Sequence, residues 1–208
     1  MTYTHIEKAI GELKLKQKIF HSEADFQFSF AWELQKQLPT AKIRLEYCPQ
    51  FDLDMHIDLY IIDGIYSYPI ELKYKSKKIE ICYNDEFFNL KNQGAQDLGR
   101  YDFLYDISRI EKIRNGDSRF RAGYAIMLTN DSSYWSVPSL KNTIDSAFRI
   151  HEGRSVSGEI FWGDGAGLGT TKGRDPFVIQ GQYKMKWLPF STFDHKNGVF
   201  QYNVVEVT

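Results

Sequence analysis

At 208 residues and 24.3 kDa, the chain is long enough for one ample domain with a sizeable core, without disulfides or a structural metal. Its 42% hydrophobic and 25% charged content excludes a disordered tail, and no apolar run reaches the roughly 18 residues of a membrane span. A net charge of −1 and a pI near 6.5 exclude a polycation that coats nucleic acid, though a local basic patch is compatible with them. The start, MTYTHIEKAIGELKLKQ, has no apolar core for a secretory signal. Cys48 and Cys82 have no metal-type spacing and read as reduced thiols of a cytoplasmic protein. The 15 Phe, 13 Tyr and 4 Trp serve a large core as readily as stacking on bases.

In chain order, residues 3–18 read as a helix with a modest stripe through Ile6, Ile10 and Leu13. Ser22 and Asp25 form a capping box, followed by Ala24, Phe28, Ala31, Leu34 and Leu38 at helical spacing, and Pro39 ends that helix. The period then changes to two. Ile43, Leu45 and Tyr47 alternate with Lys42, Arg44 and Glu46 in a half-buried strand. HIDLYII (56–62) and IYSYPIELKYK (65–75) flank Asp63-Gly64, a strong hairpin signal. A long helix is expected around 94–113, with Leu98, Tyr101, Leu104 and Ile107 on one side. RAGYAIMLT (121–129) reads as a buried strand closed by Asn130 and Asp131. Pro138 opens a further expected helix through Leu140, Ile144 and Phe148, and strands and loops are expected from Gly158 onward. Residues 22–129 thus run helix, three strands, helix, strand, an α/β layer with a mixed sheet.

With Asp63-Gly64 as a two-residue turn, Asp58 falls opposite Pro69, and Glu71 and Lys73 follow on the same face. The other face carries Ile57, Leu59, Ile61, Ile70, Leu72 and Tyr74. A carboxylate pair suits a hard divalent cation, and a lysine beside it suits a phosphodiester. A solvated polar face is the competing reading, and Glu12-Leu13-Lys14 is a second Glu-x-Lys in the same chain. That copy sits in a helical stretch with no acidic strand before it.

Asp58, twelve residues, then Glu71-Leu72-Lys73, preceded by a Glu-bearing helix and followed by helix and strand, resembles the PD-(D/E)xK, or restriction-endonuclease-like, nuclease superfamily. The stretches SEADFQFSFAWELQKQLP, IRLEY, HIDLYI and IELKYK carry the resemblance, to a bacterial family with that core, over residues 20–130. It implies an αβββαβ core; with the helix read at the N-terminus and the strands expected beyond 130, the chain reads as one domain of residues 1–208 with a β-rich extension over 131–208. It implies Asp58 and Glu71 as ligands of Mg²⁺ or Mn²⁺, Lys73 as the catalytic lysine, and nucleic acid, DNA first, as substrate. It also implies an acidic residue on the preceding helix. Glu23 fits that place, with Glu33 as a substitute, although a Glu in a first turn also complements the helix dipole. His56-Ile57 stand where the superfamily has Pro before the Asp, and Asp52 and Asp54 share the parity of Asp58.

Gln93, Gln96 and Arg100 share one helix face and are candidates for substrate contact, as are Lys75, Lys77 and Lys78 at the end of the lysine-bearing strand. GDGAGLGTTKGR (163–174) matches neither Walker A nor Gly-x-Gly-x-x-Gly; it is a surface loop, or one that presents Lys172 and Arg174 beside the cleft. The five histidines show no zinc spacing, and His56 could support Asp58. A binding module that keeps the fold without catalysis is the rival expectation. No membrane partner is expected, and a homodimer stays open.

Overall fold

The structure is a computed structural model that describes residues 1–140 and 142–208. Four α-helices and ten strands are present among these residues, as a mixed α/β fold. The central sheet has six strands in the order β1 (Lys42–Tyr47), β2 (Ile57–Asp63), β3 (Tyr66–Lys75), β6 (Gly123–Thr129), β10 (Val199–Val207), β9 (Trp187–Thr192). Only the β3–β6 pair is parallel, which requires a crossover, and α3 (Gln96–Gly116) supplies it. Two small hairpins lie apart: β4 (Ile79–Tyr83) with β5 (Glu86–Leu90), and β7 (Ser155–Ile160) with β8 (Phe177–Lys184).

Both faces of the sheet are covered. Leu59, Ile61, Ile70, Leu72 and Tyr74 pack with α1 (Tyr3–Lys16) and α2 (Glu23–Gln37) in the larger core. Ala125, Met127 and Val205 face α3 and the β7–β8 hairpin. Buried Glu111 ties α3 to β8 by accepting from the Gln180 and Gly181 N–H groups and the Tyr183 hydroxyl. The region after 130 is therefore no appendage, since β10 and β9 complete the central sheet.

Several expectations change in detail. Ser22 caps α2 as expected, accepting from Asp25 N–H at 3.2 Å. The buried stripe of α2 is Phe26, Phe30 and Leu34, whereas Phe28 and Trp32 are exposed, because two apolar stripes compete and only one meets the sheet. β1 is an edge strand and more exposed than alternation implies. The helix expected from Pro138 does not form over the described residues, which hold only a 3₁₀ turn at Ser146–Phe148; Lys141 lies outside them. There the Asp145 side chain takes hydrogen bonds from Arg100, Thr143 and Arg149, so tertiary contacts override a weak helical pattern. No helix of the described residues is long and apolar enough to cross a membrane.

Gly123 opens β6 directly against Ile110 of α3. A Cβ there overlaps Ile110 Cγ2 and meets the Pro69 carbonyl oxygen at 3.2 Å. Ile110 is β-branched and fully buried, so it has little room to turn away. Gly123→Ala should cost about 1–3 kcal/mol by overpacking. Urea unfolding checks this, and an unchanged midpoint would show that α3 floats more freely than the packing indicates.

Candidate active site

The β2–β3 hairpin turns at Gly64-Ile65, with Asp63 opposite Tyr66 and Tyr60 opposite Pro69. Gly64 takes the left-handed backbone, φ 62°, that the turn needs. This register lies two residues from the one expected from an Asp63-Gly64 turn. A slip of two preserves every face. It brings Asp58 opposite Glu71, one step beyond the last ladder pair, Leu59 and Ile70.

Beyond that pair the strands part, and carboxylates replace the missing ladder. Asp58 Oδ2 accepts from Leu72 N–H at 2.6 Å, and Asp58 N–H points to Glu71 Oε2 at 3.4 Å. Glu23, the first residue of α2, reaches across so that its Oε2 accepts from Tyr74 N–H at 2.8 Å. Gln27, one turn further along α2, donates to the Asp58 carbonyl at 2.8 Å.

Glu71 and Lys73 project toward α3, where they meet Asp106 and Arg109. Lys73 Nζ lies 2.8 Å from Asp106 Oδ2, and Arg109 Nη1 lies 3.2 Å from Glu71 Oε1 and 3.3 Å from Asp106 Oδ1. Arg109 also donates to the His56 carbonyl. Glu71 is 1% exposed. Despite the nearby guanidinium, its Oε1 accepts no well-directed hydrogen bond among the described residues.

Acids outnumber bases in this half-dry space, and the titration behaviour follows. Burial pushes the Asp58 carboxyl up to about 6, against the pull of Lys73 and the Leu72 N–H, and Asp106 and Glu23 add to the rise. Burial, and then the charge of Asp106, hold Glu71 well above the ordinary carboxylate range. Burial alone would lower the Lys73 ammonium, but Asp106, Asp58 and Glu23 overcome it and hold it above the usual lysine range. Lys73 is thus a fixed cation, suited to orienting water and balancing charge rather than to taking a proton. Asp102, one turn before Asp106, is raised by burial and lies within the electrostatic reach of Lys75, Lys73 and Arg174.

The structure therefore brings Asp58, Glu71 and Lys73 together, with Glu23 at the rim. Among the described residues no three His, Cys, Asp or Glu side chains form a metal-holding group, so the arrangement offers a carboxylate pair. Other expected contacts fall elsewhere. Arg100 is 5% exposed and bonds Asp145 at 2.7 Å and the Ser133 carbonyl at 2.9 Å, so it holds a loop and is out of reach of a substrate. Gln96 donates to Asp131, and the Gln93 side chain accepts from Ser76 N–H. Lys77 pairs with Asp131 and Lys78 with Glu80. Glu33 is buried between Lys16 and Lys36, which hold its carboxyl low against the opposing effect of burial, so it is no substitute ligand. β2 starts at Ile57, which leaves Asp54 in the preceding loop and Asp52 there paired with Lys112. The His56 side chain is exposed, and it is the backbone of this residue that serves the site.

Lys75 is half-buried beside Asp102 and keeps its place as a candidate. The glycine-rich stretch forms one short helix, Leu168–Thr171. It then puts Lys172 and Arg174 on a cleft of about 540 Å³, shared with Tyr101, Asp102 and Tyr105 of α3. The residues that sequence reasoning missed are Asp106 and Arg109. Their signal was a charged pair at i, i+3 set among Phe103, Leu104, Ile107 and Ile110, where an unpaired charge has no place.

Comparison with family models, with curated proteins and with solved structures finds no match to this chain.

Proposed function

We propose that this chain is a metal-dependent nuclease that hydrolyses phosphodiester bonds, with DNA as the first substrate to test, on the PD-(D/E)xK plan that its sequence resembles. The observation that carries the reading is the convergence of Asp58, Glu71 and Lys73 where β2 and β3 part. The order α2, β1, β2, β3, α3, β6, with the β4–β5 hairpin inserted, agrees with the restriction-endonuclease-like core that the resemblance implies.

Asp58 and Glu71 would hold Mg²⁺ or Mn²⁺ through oxygen, which suits a hard cation that takes one or two carboxylates and keeps several waters. The buried, poorly bonded Glu71 Oε1 and the surplus of acids fit such an ion. Bound there, the ion supplies positive charge against the phosphodiester and acidity to water. Lys73, pinned by Asp106, orients the attacking water and opposes the charge that develops on phosphorus oxygens. Glu23 fixes the α2 end against β3, and Lys75, Lys172 and Arg174 supply cations for phosphates on either side.

A second reading, a non-catalytic binding module on the same fold, is favoured by one observation. Asp58, Glu71 and Glu23 already have partners within the protein, namely Leu72 N–H, Arg109 and Tyr74 N–H. The deciding experiment combines thermal unfolding with a cleavage screen on supercoiled, linear, single-stranded and branched DNA and on RNA. Mg²⁺ or Mn²⁺ should stabilise the protein and support cleavage, as linkage requires of a native-state site. Neither effect on any substrate would discard the nuclease reading in favour of the module.

A further inference from the structure

We infer that the cleft between residues 142–154 and 161–163, just after β7, is a phosphate-binding site, separate from the carboxylate–lysine cluster and independent of the nuclease reading. The cleft measures about 520 Å³, and its lining includes Asn142, Ser146, Arg149, His151, Arg154 and Phe161.

Charge carries the inference. Arg149 donates to Asp145 Oδ1 at 3.0 Å and to Thr143 Oγ1 at 2.7 Å, while Asp145 Oδ2 is taken by Arg100 at 2.7 Å. Arg154 has only a neutral partner of good geometry among the described residues, the Ser146 carbonyl at 3.1 Å. One carboxylate thus pairs with two guanidiniums, Arg100 and Arg149, and none pairs with the third, Arg154, among the described residues. The Nε atoms of both Arg149 and Arg154 are buried and accepted by nothing among the described residues. Burial, and then the charge of Arg149, push the Arg154 guanidinium down from its ordinary value.

Two such cations on one cleft wall call for a multiply charged oxyanion. A phosphomonoester carries about −1.5 to −2 near neutral pH and matches guanidinium N–H groups with its oxygens. The cleft exceeds the volume of one phosphate. Val137, Pro138 and the half-exposed Phe161 give it an apolar rim for a group attached to that phosphate.

The test is thermal unfolding and ³¹P NMR titration, with EDTA present throughout so that the outcome is separate from any metal-dependent activity. The ligands are inorganic phosphate, a nucleoside 5′-monophosphate and the same nucleoside, each at about 10 mM, against chloride at matched ionic strength. Wild type should be stabilised by phosphate and by the monophosphate. Arg154→Gln should bind at least about tenfold more weakly, since a charged hydrogen-bond partner is lost. Asn142→Asp places a carboxylate at an exposed position of the lining, keeps the arginine packing, and should weaken binding likewise. If Arg154→Gln does not fold, Asn142→Asp decides. Tighter binding of the monophosphate than of phosphate would assign the apolar rim to the attached group, and equal binding would assign the site to free phosphate. No gain over chloride, variants that bind like wild type, or a nucleoside as good as its monophosphate would each overturn the inference.

Discussion

Asp58→Asn should abolish metal-dependent cleavage and yet stabilise the metal-free protein, by on the order of 3 kcal/mol near pH 8. Glu71→Gln should act in the same direction on both counts. The stabilisation follows from the surplus of buried acid. The Asp58 carboxyl titrates at about 6 in the folded protein against 3.8 for the unperturbed group, chiefly through burial. Between those values the folded state keeps a proton that the unfolded state has released. Stability that is fully present below the unfolded value is therefore lost as pH rises through the folded one, by up to about 1.4 kcal/mol per pH unit. Asn keeps an oxygen for Leu72 N–H and never ionises, so the loss disappears.

Urea unfolding of both proteins in EDTA, from acid to mildly alkaline pH, should show stabilities that converge at the acid end. They should separate through the window from 3.8 to about 6 and differ by a constant amount above it. A difference that does not vary with pH would detach it from the carboxylate. In the cleavage assay Glu12→Ala is the control. Glu12 belongs to the other Glu-x-Lys, and its carboxylate pairs with Lys16 on the surface of α1, so activity should be unchanged. Cleavage that survives Glu71→Gln would place the chemistry elsewhere.

The second large effect is structural in origin. Asp106→Ala should destabilise the protein by about 3 kcal/mol, because it strands the buried Lys73 ammonium. Lys73 is held at 2.8 Å by Asp106, both side chains are largely buried, and Arg109 loses a partner in the same step. Removing Asp106 also relieves Glu71 of a like charge, which trims the cost without cancelling it. The double variant Asp106→Ala/Lys73→Met should recover most of the loss, since no unpaired ammonium is left behind. Equilibrium unfolding at neutral pH measures both. A double variant no more stable than Asp106→Ala would mean that the stranded lysine is not the source of the cost. Asp106→Ala should also slow cleavage at saturating metal, because Lys73 is no longer fixed.

Much of the site is legible in the sequence because parity and helical period are local properties. Asp58, Glu71 and Lys73 share a face whichever turn closes the hairpin, so an error of two in register left the prediction of their convergence intact. Glu23 is legible as a first-turn residue of a capped helix, and its reach to the Tyr74 N–H depends only on where that helix begins. Arg100 and Asp106 show the limit. Both are charged residues of one amphipathic helix, six positions apart, and both are buried. A sequence pattern ranks each as a solvent-facing residue.

The sequence by itself determined the order of elements from α2 to β6 apart from the inserted β4–β5 hairpin, the apolar and acidic faces of the β2–β3 hairpin, and the identity of its carboxylate pair. These follow from spacing along one segment, where the physics is steric and short-range. Tertiary structure alone decided the hairpin register, the α3 face that meets Glu71, the fate of the Pro138 segment, and the place of β9 and β10 in the central sheet. Each depends on which of several equivalent surfaces comes to lie against another. That choice is made by burial and charge pairing between residues distant in sequence, such as Arg109 with Glu71 and Asp145 with Arg100.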